Sequence, residues 1–233
     1  NEFETTGALT VGGIAGRILG KETENSLSDC HNYGTITAKS VAGDKKGGVG
    51  GILGVFYADT ASGIAQSVIN LTSCSNNANV TLDGIGAGNC HVGGIAGGIV
   101  DGNATGSITG CTNNGDVRNG TTESTYTGKW IYTGGIIGQY GFATGKISGC
   151  TNTGTVINGV HSSATGGNIR IGGVAGNADC ATFENNTNSG TVKDVSLSYS
   201  IDLGGILGRF NCGSASTMTN CNNTGNIVSE NKF

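Results

Sequence analysis

The residues best suited to chemistry in this chain are thiols, and they recur at one position. Five of the eight cysteines, Cys30, Cys74, Cys111, Cys150 and Cys221, open a recurring block of the form Cys-x-Asn-x-Gly-x-Val, and Asn186 stands in the cysteine's place in a sixth copy. A column of thiolates is raw material for a metal or redox array. Zinc sites, however, draw on paired ligands such as Cys-x-x-Cys, whereas these cysteines come one per copy, and His31, His91 and His161 fall at unrelated places. The spacing favours a small buried thiol filling one corner of each repeat, with bridges between neighbouring copies as the alternative. Cys180 and Cys212 each lie four residues after a glycine hexad in consecutive repeats. They are the better candidate disulfide, which an extracytoplasmic location would permit.

Carboxylates offer less. Glycoside chemistry needs two acids facing one bond, but Asp83, Asp101, Asp116, Asp194 and Asp202 occupy unequal repeat positions and read as solvated loop acids. No nucleophile elbow, His-Glu-x-x-His, phosphate loop or calcium-binding glycine-aspartate pattern occurs. The expectation is a non-enzymatic chain without cofactor or metal. The one uneven feature is aromatic: Tyr126, Trp130 and Tyr132 precede one hexad and Tyr140 follows it. Flat rings among Asn and Thr suit sugar stacking, so these four form a candidate glycan platform; the plainer reading is that they cover the apolar edge of their own insertion.

The elements that must position these residues follow from the repeat. Val11 to Gly16 reads Val-Gly-Gly-Ile-Ala-Gly, and related hexads begin at Val49, Val92, Thr133, Ile171 and Leu203. Their first glycines are 38, 43, 41, 38 and 32 residues apart, a period typical of solenoids and propellers. Repeats from Val11 to Ile227 leave no room for a linker, so residues 1–233 read as one domain.

Forty-five glycines and no proline suit a chain whose backbone is hydrogen-bonded on both sides almost throughout. Only 12% of residues are charged, the net charge is −4, and Lys45-Lys46 is the densest basic patch, which argues against nucleic-acid binding. No stretch of about 18 apolar residues is present, so the chain is not expected to span a membrane by itself. The first residues, Asn1-Glu-Phe-Glu, lack a starting Met and an apolar leader, which reads as a processed or excised piece with neighbouring domains of a larger chain.

Gly-Gly within the best apolar run disfavours helix, and Val195, Leu197, Tyr199, Ile201 and Leu203 alternate as one strand would. Each copy offers three short strands: the hexad, the segment ending at the Cys block, and the Gly-x-Val piece. The Asn of the block recurs in all six copies, Asn32, Asn76, Asn113, Asn152, Asn188 and Asn223, as a ladder of stacked amides would require. Two residues on, Gly34, Gly115, Gly154, Gly190 and Gly225 would permit a positive φ at a coil turn. The reading is an all-β, right-handed parallel β-helix (a β-solenoid) of about six coils, roughly 30 Å long at ~4.8 Å per coil. The segments 39–48, 83–91, 119–129 and 159–168 are expected to bulge out as loops.

Gly93-Gly-Ile-Ala-Gly97 with Ile108 to Val117, and Gly134-Gly-Ile-Ile-Gly138 with Ile147 to Val156, resemble the GLUG repeat of bacterial surface proteins. Family copies carry Ser and an aromatic where this chain has Cys and a polar residue. The resemblance implies β-helical structure and a place in cell-envelope proteins, including adhesin-like proteins and non-catalytic regions of secreted peptidases. The expected function is therefore a non-enzymatic segment of a bacterial cell-surface or secreted protein, an adhesive or ligand-binding module or rigid stalk. Its partners would be a glycan or a host or cell-surface protein. The alternative is an accessory domain of a secreted carbohydrate-active enzyme or peptidase.

Overall fold

The computed structural model describes residues 9–20, 24–41, 47–58, 67–85, 89–100, 104–120, 130–141, 144–159, 168–179, 182–196, 200–211 and 216–230. Among them there is no helix; the strands form five parallel sheets of six, each sheet taking one strand from every coil. The chain is a parallel β-helix of six coils. The fourth coil runs through Trp130–Gly134 (sheet A), Ile137–Gly141 (sheet B), Lys146–Ser148 (sheet C), Thr151–Asn152 (sheet D) and Val156–Asn158 (sheet E).

Five strands per coil replace the expected three, because the hexad is a corner shared by two strands and the Cys block adds a two-residue strand of its own. It ends sheet A, bends, and begins sheet B: Gly47–Gly50, then Gly51-Ile52, then Leu53–Ala58 in the second coil. The hexad's three glycines make this corner sharp. The first and last point to the outside of the bend, where a Cβ on Gly12 would sit 2.7 Å from the Gly54 nitrogen and one on Gly54 2.7 Å from the Val11 nitrogen. The last is also skipped in the register of sheet B: Ala96 pairs with Ile137 and Gly98 with Gln139, so Gly97 and Gly138 have no partner. This bulge shifts the alternation by one residue and brings Ile99 and Tyr140 inward.

The second glycine points inward, onto the asparagine column; a Cβ on Gly13 would lie 2.7 Å from the Asn32 amide, and the same overlap recurs at Gly51, Gly94, Gly135, Gly173 and Gly205. Glycine and amide meet across the middle of the coil and pinch it into two lobes. One lobe holds the large apolar cluster of Ile52, Leu53, Phe56, Ile69, Leu71 and Cys74 and their counterparts in later coils. The other, between sheets A and E, holds Val49, Val80, Val92, Val117, Ile171 and Val192.

From Asn32 to Asn188 each asparagine in the waist uses both amide N–H groups and its oxygen. Asn113 Nδ2 donates to Gly115 O at 2.7 Å and to Asn152 Oδ1 at 2.7 Å, while its own Oδ1 accepts from Asn76 Nδ2 at 2.8 Å. The same relay runs from Asn32 to Asn223 with steps of 2.7 to 2.8 Å. The expected ladder is thus present in all six coils.

The left-handed turn is one corner earlier than expected. Positive φ, between 51° and 61°, occurs at Asp29, Ser73, Gly110, Gly149, Asn185 and Asn220, the residue before the Cys position in every coil. Asp, Asn, Ser and Gly are the types that enter this region at least cost. Gly115, Gly154, Gly190 and Gly225 serve close approach instead: a Cβ on any of them would strike the backbone of the preceding coil.

Sheet E also runs further than the expected loops allowed, through Val41 and Ile85. Val195 and Ser196, by contrast, lie outside any strand, so the alternating run there does not form one strand up to Ile201. Among the described residues, large hydrophobic side chains are exposed only in the first and last coils (Ile14, Leu19, Tyr33, Met218 and Ile227).

Two substitutions test the waist. Asn113→Ala strands an acceptor on Asn152, a donor on Asn76 and the Gly115 carbonyl, at about 1–3 kcal/mol for each buried unpaired group; a loss of at least ~3 kcal/mol is expected in urea unfolding followed by circular dichroism. Gly135→Ala forces a methyl against Asn152 and is expected to cost a comparable amount, well beyond the ~0.5 kcal/mol of an ordinary surface change. Unfolding midpoints within error of the parent for both would refute the assignment.

Candidate ligand-binding groove

The thiol column is a packing feature. Cys74, Cys111 and Cys150 are buried, Cys30 and Cys221 half-buried at the two ends, and all five are unbridged. Cys111 Sγ lies 3.6 Å from the carbonyls of Leu71 and Thr109, and Cys150 Sγ 3.5 Å from those of Ile108 and Ser148, so each buried thiol has an acceptor in its own coil and one in the coil before, as Cys74 does also. Contact with Cys150, together with burial, pushes the Cys111 thiol up to about 12. Asn186 takes the same corner by donating to Ile147 O at 2.8 Å and accepting from Cys150 N at 3.0 Å. Cys180 and Cys212, the candidate disulfide, lie outside the described residues. Among the described residues no three His, Cys, Asp or Glu side chains come together as a metal site.

The aromatic candidates part company. Tyr126 lies outside the described residues. Tyr140 follows the bulge in sheet B, so its ring is fully buried in the larger lobe and its hydroxyl donates to Gly106 O at 2.7 Å. It offers no face to a ligand. Trp130 and Tyr132 alternate around the inward Ile131 and share the outer face of sheet A, with ring centroids 6.2 Å apart. Tyr132 is nonetheless only 5% exposed, because the sheet B side of the corner covers it.

That covering defines a groove. The residues flanking each hexad face one another across the re-entrant corner: Gly48 and Val55, His91 and Gly98, Tyr132 and Gln139, Arg170 and Asn177, Asp202 and Arg209 in coils two to six. In coils two and three a glycine faces a large side chain, and a Cβ on Gly98 would stand 2.9 Å from His91 Nδ1. From coil four onward the groove becomes polar. His91 stacks on Tyr132 at 5.3 Å, and the Arg170 guanidinium lies 5.0 Å from the ring centroids of both Tyr132 and Trp130. Burial pushes the Tyr132 hydroxyl up to about 12, with the Arg170 charge offsetting part of the effect.

Arg170 Nη1 donates to Asn177 Oδ1 at 2.7 Å and to the Tyr132 hydroxyl at 3.2 Å. Asp202 Oδ2 sits 3.6 Å from Arg170 Nε and 3.8 Å from Arg209 Nη1, ion pairs longer than hydrogen bonds. Asp179 accepts from Asn177 Nδ2 at 3.2 Å and Asn211 Nδ2 at 3.1 Å. No family model, curated protein or solved structure matches the chain. The groove must be read from its own side chains.

Arg170, Asn177 and Arg209 escape the sequence reading although a signal is present: each immediately precedes or follows a hexad. Asp202, grouped by sequence with the solvated acids, lies on the strand Ile201–Gly204 as the alternation there implies. Asp194, read the same way, is fully buried in sheet E, in a row with Asn119 and Asn158. Its carboxylate accepts from Asn158 Nδ2 at 3.0 Å and the Ser196 hydroxyl at 3.1 Å. Burial holds the Asp194 carboxyl above its ordinary value, with the hydrogen bonds from Asn158 and Ser196 offsetting part of the shift.

A carboxyl that binds its proton more tightly folded than unfolded contributes stability that is complete below the unfolded value and is lost as pH rises through the folded one. Asp194→Asn, which extends the row of Asn119 and Asn158, is expected to remove this slope. Its thermal midpoint relative to the parent should be higher at pH 7 than at pH 3, and a difference independent of pH counts against the assignment. The thiol column predicts its own outcome: Cys74, Cys111 and Cys150 should resist iodoacetamide in the native protein and react fully once it is unfolded, as read by mass spectrometry. Native labelling of Cys111 as fast as that of Cys30 would contradict it.

Proposed function

We propose that this chain is a non-enzymatic repeat segment of a bacterial cell-surface or secreted protein, a rigid module that carries a ligand-binding face. The observation that supports it is a division of labour within each coil. Inward positions hold one residue type from coil to coil: glycine, asparagine and, in five of six coils, cysteine. The outward positions flanking the hexads run from Gly and Val through His, Tyr and Gln to Arg, Asn and Asp. A constant interior with a variable face suits a scaffold for binding, and a stack in which each coil contacts its neighbours is easily extended into a stalk. The likeness of the repeats to GLUG sequences supports the cell-envelope setting. An array of buried thiols held as a packing column is compatible with an oxidising exterior, since unreactive thiols do not bridge.

Location is the decisive test. Antibodies against the chain are expected to label intact, unpermeabilised cells that make the parent protein, and protease added to such cells should remove the label. Labelling only after lysis would overturn the proposal.

A further inference from the structure

We propose that the polar end of the re-entrant groove, in coils four to six, is a binding site for a neutral saccharide. The ring of Trp130 would contact the sugar face, and Asp202 and Arg209 would hold a pair of its hydroxyls. This deepens the reading of a ligand-binding module and rests on it.

Three observations single out this stretch of surface. The Asp202 carboxylate is 42% exposed and the Arg209 side chain 47%; they approach to 3.8 Å, and among the described residues neither makes a hydrogen bond. Both stand in the sixth coil, which no further described coil covers, and their donor and acceptor capacity is open to a ligand there. Arg170 is different: its side chain is only 7% exposed, yet its Nε has no hydrogen-bond acceptor and points at Asp202 from 3.6 Å. A buried guanidinium N–H without an acceptor is costly; this nitrogen is sealed from solvent, so a hydroxyl arriving here donates to the exposed Asp202 carboxylate, the anion that Arg170 faces. Thirdly, Trp130 is the chain's one tryptophan, half-buried on the outer face of sheet A in the fourth coil, with Arg170 packed on its ring.

The charge pattern selects the ligand. Arg170 and Arg209 are balanced by Asp179 and Asp202, so the groove has no net charge to draw an anion or a cation. What it offers is carboxylate acceptors beside guanidinium donors, and a sugar's neighbouring hydroxyls are each donor and acceptor at once. Aromatic surface next to such groups is the usual composition of a small-ligand site, in which apolar contact supplies area and a few polar groups fix orientation. The columns also repeat along the axis at the coil spacing of ~4.8 Å, comparable to one pyranose ring, so the groove can follow an extended chain. A protein partner would need an apolar centre, and Asp202, Arg209 and Asn211 provide none.

Trp130 is also the probe. The purified chain is titrated with a panel of neutral oligosaccharides (gluco-, manno-, xylo- and galacto-configured) and with uronic-acid oligosaccharides, following tryptophan emission and, in parallel, calorimetry. At least one neutral member is expected to bind and to shift the emission. Asp202→Asn and Arg209→Ala should each weaken that binding at least tenfold; Arg209→Ala should leave the thermal midpoint unchanged because its side chain is half-exposed, whereas Asp202→Asn, which removes the anion facing buried Arg170, should lower it while the chain still folds. Trp130→Phe should weaken it less than Trp130→Ala, and Asp202→Asn carries the test if either Trp130 variant fails to fold. Absence of binding to every neutral member at millimolar concentration, binding confined to uronic acids or to a protein ligand, or an affinity that survives Asp202→Asn would overturn the site. A chain that is displayed on cells yet fails this titration loses the saccharide site and keeps the module reading.

Discussion

The contact between the second glycine of each hexad and the asparagine opposite it governs the rest of the architecture. A carboxamide is among the few short side chains that can donate and accept along one line, so a column of them can relay hydrogen bonds without leaving a member unpaired. Each asparagine spends one N–H on the carbonyl two residues ahead and the other on the next coil, which locks its own rotamer and the coil spacing together. In a dry interior such chains of hydrogen bonds strengthen one another, and a missing link is expensive for the same reason. Only glycine leaves room for the amide on the opposite wall. The two motifs of the repeat are therefore halves of a single contact.

The waist also explains why the coil needs three glycines in five residues. To bring a wall inward to the asparagines, sheets A and B must fold back with their outer faces toward each other, and backbone meets backbone at the first and last glycines of the hexad. The apolar interior divides into two lobes as a consequence. The outside acquires a groove, lined by whichever residues flank the hexad. Interior and groove are thus two sides of one bend, and the groove's contents can change without touching the ladder.

Much of this was legible because six copies of a repeat align with themselves. The number of coils, the asparagine ladder and the inward cysteines could be read from equivalence of position. The bend could not, because Gly-Gly-Ile-Ala-Gly has the composition of a strand, and the directions of its three glycines become apparent only when the return strand is placed. The same bulge defeated the alternation rule for Tyr140, which counts as outward from Trp130 and Tyr132 until Gly138 drops out of register. The left-handed corner was missed for a different reason. The glycines after the asparagine stand out by residue type, whereas the position before the cysteine holds Asp, Ser, Gly, Gly, Asn and Asn, a set with backbone conformation in common and no shared side-chain chemistry.

The exception in the cysteine column shows what the scaffold tolerates. Asn186 enters a corner otherwise occupied by thiols, and an amide buried there would be severely destabilising without partners. It is accepted because the corner already exposes an N–H at Cys150 and a carbonyl at Ile147, both within 3.0 Å. A thiol uses that carbonyl-lined corner weakly; an amide uses it in full. Arg170 follows the same logic on the outside, where Asn177 and the Tyr132 hydroxyl accept from Nη1, two ring faces receive the guanidinium, and Nε faces Asp202 beyond hydrogen-bond range. A β-helix of this kind admits polar groups wherever the coil-to-coil backbone supplies their partners. Where it does not, as at Arg170 Nε, the buried group keeps a hydrogen-bonding capacity that the stack itself leaves unused.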